Sequence, residues 1–160
     1  MSLLDRRTLL LAPLALAACG FQPVYGPGGS GTTLQNHVLV DEPNDRDSYL
    51  LTREIEERLG RANPARFGLA LNIATTEEGL AIDLAGNTTR YNLLGAVDYA
   101  LRDLTTGQIV TSGTVENFTG YSATGSTVAT LASAQDAQER LMSILADQIL
   151  ARLYTTQIPT

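Results

Sequence analysis

The chain has 160 residues, a formal charge of −6 and no lysine, so all of its basic residues are arginines. An acidic chain of this kind is a poor partner for nucleic acid, whose binding rests on neutralising phosphates. One histidine and one cysteine exclude a His/Cys metal cluster by count and any disulfide within the chain.

The first stretch is an export signal. Arg6 and Arg7 precede an apolar run, Leu9 to Ala18, that ends in two alanines directly before Cys19. The run is too short to cross a bilayer, which takes about 20 apolar residues. Leu16-Ala17-Ala18-Cys19 resembles a bacterial lipobox, in which the cysteine thiol is alkylated with diacylglycerol and the chain is cut just before it. Residues 1–18 are therefore expected to be a lipoprotein signal peptide and Cys19 the lipid attachment site. Each buried CH₂ contributes about 0.8 kcal/mol, so more than one acyl chain makes a stable anchor. Gly20 is not the aspartate that commonly holds such proteins at the inner membrane, which implies the outer membrane, facing the periplasm. Asp5-Arg6-Arg7-Thr8-Leu9 also looks like a twin-arginine signal, so both export routes stay open. Cleavage removes Asp5, Arg6 and Arg7 and takes the formal charge from −6 to −7.

Residues 19–33 read as a lipidated cysteine and flexible tether, because Gly26 to Thr33 is rich in Gly, Ser, Pro and Thr. Phe21, Val24 and Tyr25 are too apolar for a tether, and they point to docking on the body or on a partner. Residues 34–160 form a single domain. His37 to Val40 predicts a short strand, ended by turn formers and acids at Asp41 to Asp45. A helix is expected from about Ser48 to Leu59, with Asp47 or Ser48 as N-cap and Gly60 and Pro64 as stop. Leu51, Ile55 and Leu59 make its buried stripe, while Glu54–Arg58 and Glu57–Arg61 are predicted ion pairs on its wet side.

From Phe67 the apolar period changes to two. Phe67, Leu69, Leu71 and Ile73 share one strand face. Glu77-Glu78-Gly79 is expected to interrupt as a turn or bulge before Leu80, Ile82 and Leu84 resume the alternation, and Gly86-Asn87 reads as a turn. The longest alternation follows, with Tyr91, Leu93, Gly95, Val97, Tyr99 and Leu101 on one side and Arg90, Asn92, Leu94, Ala96, Asp98, Ala100 and Arg102 on the other. Asp103 to Gly107 turns the chain into a last strand, Gln108 to Tyr121. There Ile109 and Val115 are predicted on one face with Phe118 out of phase, which implies a bulge near Gly113 or Asn117. A long helix, about Val128 to Tyr154, follows; its stripe is Leu131, Ala134, Ala137, Leu141, Leu145, Ile149 and Leu153.

The order β-α-β-β-β-α and the one-sided helices predict an α+β, two-layer sandwich: a four-stranded, mostly antiparallel sheet with two helices packed on one face. The opposite sheet face is half polar, and on an anchored protein it is a candidate partner surface.

Catalytic signatures are missing. Nothing singles out His37 as a general base, no lysine is present for a P-loop or a Schiff base, and no G-x-S-x-G occurs. No cofactor and no enzymatic activity are expected; an anchored binding or hydrolytic domain would need a deep pocket of converging polar groups.

Cys19-Gly-Phe-Gln-Pro-Val-Tyr-Gly26 resembles the CGFxPLYG opening of the lipopolysaccharide-assembly lipoprotein family LptE, with Val24 where leucine is usual. Arg90-Tyr91, Tyr99-x-Leu101-x-Asp103, Thr106-Gly107, Gly113, Tyr121, Ala134-x-x-Ala137-x-x-x-Leu141 and Leu145-Ala146-Asp147-x-Ile149 agree with the later family pattern. The resemblance covers residues 19–154. It implies a non-enzymatic outer-membrane lipoprotein that plugs and helps assemble the LptD outer-membrane β-barrel and assists delivery of lipopolysaccharide to the outer leaflet. Its implied partners are LptD, lipopolysaccharide and, through the lipid, the membrane. Family members bind lipopolysaccharide with basic residues, which here implies Arg90 and, more weakly, Arg102. The alternative is a lipoprotein accessory or pilot factor of another envelope secretion or assembly machine.

Overall fold

The computed structural model describes residues 24–26 and 29–158. The signal peptide and Cys19 lie outside the described residues. The elements are α1 (Ser30–Leu34), β1 (Val38–Val40), α2 (Arg46–Leu59), β2 (Phe67–Ile82), β3 (Thr88–Asp103), β4 (Ile109–Ser122) and α3 (Thr127–Thr155). One sheet in the order β1-β2-β3-β4 carries them. β1 pairs in parallel with β2, Val38 opposite Phe67, and the other two pairings are antiparallel. This is the α+β arrangement the sequence predicts, with one short helix added in front.

Alternation sorts each strand. Phe67, Leu69, Val97, Tyr99, Leu101 and Val115 are buried on the helix side. There they meet Leu51, Ile55 and Leu59 of α2 and Leu141, Leu145, Ile149 and Leu153 of α3. Burying a side chain of this size is worth about 1.5–3 kcal/mol, so this one interlayer core holds the fold. β4 is tied to α3 by a buried bond in which the Thr119 hydroxyl donates to the Ala137 carbonyl at 2.9 Å. Arg58 bridges the two long helices to Asp147 at 3.1 Å.

The crossing point is Gly95. A Cβ there would lie 3.0 Å from both the Leu141 and the Leu145 methyls, closer than the ordinary 3.5–4.0 Å carbon contact. The missing side chain lets α3 settle on the sheet.

Helix α2 begins two residues earlier than the sequence reading places it. Asp45, not Asp47 or Ser48, is the N-cap. Its carboxylate accepts from the Ser48 amide at 2.7 Å, and Ser48 returns a bond to the Asp45 amide, which closes a capping box. These bonds to Ser48 hold the Asp45 carboxyl below the usual range. Gly60 ends the helix at φ 73°, in the region glycine favours. Glu54–Arg58 forms at 3.0 Å as expected, but Arg61 turns to Glu56 at 3.1 Å and Glu57 to Arg53 at 3.8 Å. The Arg61 pairing follows from the helix end, because Arg61 lies past the C-cap and no longer sits at helical spacing.

Three further expectations are corrected. Glu77-Glu78-Gly79 makes no turn; one strand runs from Phe67 to Ile82, and of the two alternatives it is a bulge-type irregularity that occurs, directly after Gly79, with a second register shift between Ala81 and Ile82. In β4 the irregularity falls at neither Gly113 nor Asn117 but at Val110, between the pairs Leu101↔Thr111 and Arg102↔Ile109. The extra residue turns Val110 toward the core and leaves Ile109 exposed, so Ile109 and Val115 do not share a face. Phe118 needs no bulge, because it lies in phase on the open side. Finally, Leu131 does not join the buried stripe of α3. It is exposed with Val128, and close contact begins at Ala137.

The segment read as tether is partly ordered. Ser30–Leu34 is helical, and Gly31 and Leu34 are buried. Val24 and Tyr25 dock, as their apolar character predicts. The Val24 carbonyl accepts from the Gly31 amide at 3.0 Å. The Tyr25 ring meets Tyr154 edge-on at 5.8 Å, with their hydroxyls 3.2 Å apart. Ser30 donates to the Tyr154 carbonyl. Burial, then the Tyr25 hydroxyl, raise the Tyr154 pKa.

Candidate functional site: the open sheet face

The helices cover one face of the sheet. The other is formed by the even-numbered residues of β2 and β3 and their partners in β4. Small side chains line its middle. Ala74, Thr76, Leu94, Ala96, Glu116 and Phe118 border a shallow trough of about 360 Å³, and Asn72, Asp98, Ala100, Ser112 and Thr114 continue it toward the start of β2. Asp98 accepts from the Thr114 hydroxyl at 2.6 Å, a cross-strand bond that ties its charge to β4.

Phe118 is 60% exposed on this face. Leu80, Ile82 and Leu84 project around the β2–β3 hairpin, and Val128 and Leu131 stand at the start of α3. These belong to the same end of the molecule, because β2 and β4 finish there and α3 begins there. Six exposed apolar residues lie toward this end, against Tyr25, Leu39, Tyr49, Leu104 and Ile109 elsewhere, which makes it a candidate partner surface. Beneath it, Tyr91 and Tyr121 stack at 5.2 Å and 15°. The Tyr121 hydroxyl donates to Glu77 at 2.7 Å. Burial, then Glu77, push the Tyr121 pKa up to about 12. The sequence reading missed this stack; its signal is the facing pair Tyr91 and Tyr121, visible only once the register is known.

Arg90 and Arg102 both lie on the open face and both are exposed. Arg90 is opposite Ser122 near the hairpin, and Arg102 is opposite Ile109 near the other end. Twelve steps of strand separate them, about 40 Å. They cannot grip one phosphate group together. Among the described residues no group of three or more His, Cys, Asp or Glu could hold a metal ion, and none of the described helices is long and apolar enough to cross a membrane.

A two-layer α+β body with an uncovered, mixed-polarity sheet face and an apolar tip defines a docking module. The chain belongs to the LptE lipopolysaccharide-assembly family, whose profile matches residues 35–153. Its role is thereby that of a lipopolysaccharide-assembly lipoprotein.

Solved structures share the fold. A putative lipoprotein from Caulobacter crescentus superposes with a TM-score of 0.66 at 23% identity, covering 79% of this chain and 93% of that one. Rare lipoprotein B from Shewanella oneidensis gives 0.54 at 16%, covering 74% and 92%. Lipoprotein B from Nitrosomonas europaea gives 0.57 at 13%, covering 84% and 90%. At these identities the likeness concerns the fold alone. No curated protein sequence matches the chain.

Proposed function

We propose that the chain is a lipid-anchored lipoprotein of the outer membrane that seats in the LptD β-barrel, helps it assemble and assists passage of lipopolysaccharide to the outer leaflet. The role is non-enzymatic. The observation that carries this reading is the family match, which spans the whole sheet and nearly all of α3. The lipobox-like residues before Cys19 supply the anchor: cleavage after residue 18 would free the cysteine amine, and the thiol would carry diacylglycerol. The exposed apolar tip, Leu80, Ile82, Leu84, Phe118, Val128 and Leu131, is the surface a barrel lumen would cover. Arg90 and Arg102 serve as separate lipopolysaccharide contacts, each able to hold a phosphate through two parallel N–H bonds.

Affinity purification from detergent-solubilised outer membranes tests the partner. The expected result is co-recovery of a large β-barrel protein; recovery of the lipoprotein alone overturns the reading. Cys19→Ala is expected to move the protein into the soluble periplasmic fraction with its thermal unfolding unchanged, and retention in the membrane would refute the anchor.

A further inference from the structure

Resting on the proposed anchor at Cys19, we infer that the chain is clasped to the end of its own body, so that in the lipoprotein before it is seated in its barrel this end faces an anionic lipid surface and the apolar tip points away. The first observation is chain length. Val24 is fixed to the body by the Gly31 bond and Tyr25 by the Tyr154 ring. Five residue steps from Cys19 to Val24 span at most about 18 Å. The acylated residue would therefore lie within that distance of Val24, whose neighbour Tyr25 packs on Tyr154 in the last turn of α3.

The topology says which end this is. α1 precedes β1, β1 and β2 start side by side, β3 ends and β4 begins opposite them, and α3 finishes there. The β2–β3 hairpin is at the other end, about 50 Å away along a strand of 16 residues. Space around the clasp is tight. A Cβ on Gly31 would sit 2.8 Å from Val24 Cγ1 and 3.0 Å from Tyr25 Cδ1.

The second observation is charge. The body is acidic, and an anionic leaflet repels it. The clasped end is the exception. Arg61, Arg66, Arg102 and Arg152 gather there, against Glu56, Glu57 and Asp103. Arg61 and Glu56 pair with each other, and Asp103 keeps its charge while accepting from the amides of Thr105 and Thr106 in the β3–β4 turn, so four arginines face three acids at this end. Each arginine near an anionic surface contributes about 1 kcal/mol. Tyr25, Leu104 and Ile109 are exposed at the same end and suit the headgroup boundary. At the far end Glu77, Glu78, Asp83, Glu116, Asp136 and Glu139 outnumber Arg46, Arg90 and Arg140. The lipid surface thus meets an end whose arginines outnumber its acids, and the anchor holds that end against it.

The experiment uses the mature lipidated protein in vesicles containing phosphatidylglycerol. Its native thiol is blocked by acylation, so a cysteine introduced by Gln157→Cys or by Ala85→Cys takes a fluorophore uniquely. Energy transfer to a headgroup-labelled acceptor lipid is expected to be several-fold stronger from position 157 than from position 85. Gly31→Val, which forces Val24 and Tyr25 off, is expected to bring the two signals together. Arg61→Gln with Arg152→Gln is expected to narrow the difference in anionic vesicles and to leave it unchanged in neutral ones. Mass spectrometry of the same preparation keeps the two ideas apart. Equal transfer from both positions on a chain shown to be acylated overturns the orientation alone, whereas an unmodified residue 19 overturns the anchor and the orientation with it. Narrowing of equal size in neutral vesicles overturns the electrostatic part.

Discussion

Gly95→Val probes a place where α3 lies close on the sheet. A Cβ at this position already stands 3.0 Å from Leu141 Cδ2 and Leu145 Cδ1 and 3.3 Å from Leu141 Cγ. Valine adds two further methyls, stiff at χ1, on the same side. Both leucines are fully buried, with Ile149 and Leu153 following them down the helix, so neither swings away freely. Overpacking of this kind costs about 1–3 kcal/mol, and lost glycine freedom in the unfolded chain returns no more than about 1. With both leucines held, the upper part of that range applies, and a net loss of about 1–2 kcal/mol lowers the midpoint by about 2–8 °C for a domain of this size. Thermal unfolding followed by circular dichroism reads it directly. A second variant sharpens the test. Leu141→Ala alone costs about 2–5 kcal/mol through the cavity it leaves, but in the double variant the valine fills part of that space. The double is therefore expected to be more stable than the sum of the singles by at least about 1 kcal/mol. An unchanged midpoint for Gly95→Val, or strict additivity in the double, would refute the packing of α3 over this residue.

Asp45→Ala removes the cap of α2 and is expected to cost about 1 kcal/mol in urea unfolding, and an unchanged midpoint argues against the capping box. The Asp45 pKa is lowered by its bonds to Ser48, so its contribution is present above the ordinary 3.8 and disappears as pH falls through the lower folded value; the alanine variant should lack that acid step. Tyr121 behaves in the opposite sense. Its folded pKa, about 12, lies above the unfolded value of 10.0, so stability is intact below pH 10 and is lost as pH rises toward 12. Tyr121→Phe should shrink that alkaline loss in a pH series of unfolding midpoints, leaving the part due to Tyr154, whose pKa is also raised, and a loss of unchanged size would refute the contribution of Tyr121. Arg90→Ala and Arg102→Ala should each weaken lipopolysaccharide binding in a pull-down titration. The double should match the sum of the singles within about 0.5 kcal/mol, because the two are some 40 Å apart; strong coupling would refute separate contacts.

The element order was legible because the apolar period changes abruptly, at Phe67 from mixed to two and after Ser126 to 3.6. The misplaced details share one cause: each depends on a neighbour in space. Ser48 reads equally well as a cap or as the partner of a cap, and only the Asp45 bond decides between them. A bulge displaces one residue without altering composition, so Val110 and Gly113 are equivalent until the register with Leu101 and Arg102 is fixed. Leu131 lies on the correct helical stripe but beyond the reach of the layer beneath it, since a 3.6-residue period gives the face and not where the sheet ends. The open face could be read residue by residue from the alternation of β3. The distance between Arg90 and Arg102 follows from that strand being continuous, which the sequence also indicated.

The glycine-rich stretch shows how composition misleads when one residue serves packing. Gly26 to Thr33 has the make-up of a flexible linker, yet Gly31 is buried because nothing larger fits between α1 and the chain before it. Tyr25 then reaches Tyr154, 129 positions away. On the proposed anchor at Cys19, only a few residues would separate the lipid from Val24, which has a consequence for assembly. A body on a long linker samples every orientation and pays rotational entropy when it docks, whereas a clasped body has paid much of that cost already. With the anchor end held, the β2–β3 hairpin and the first turn of α3 are the parts left to meet a partner, and these carry the exposed leucines, isoleucine and valine. On that proposal the anchored end and the apolar tip are opposite ends of the body, and loosening Gly31 should weaken partner capture even though no residue at the tip has changed.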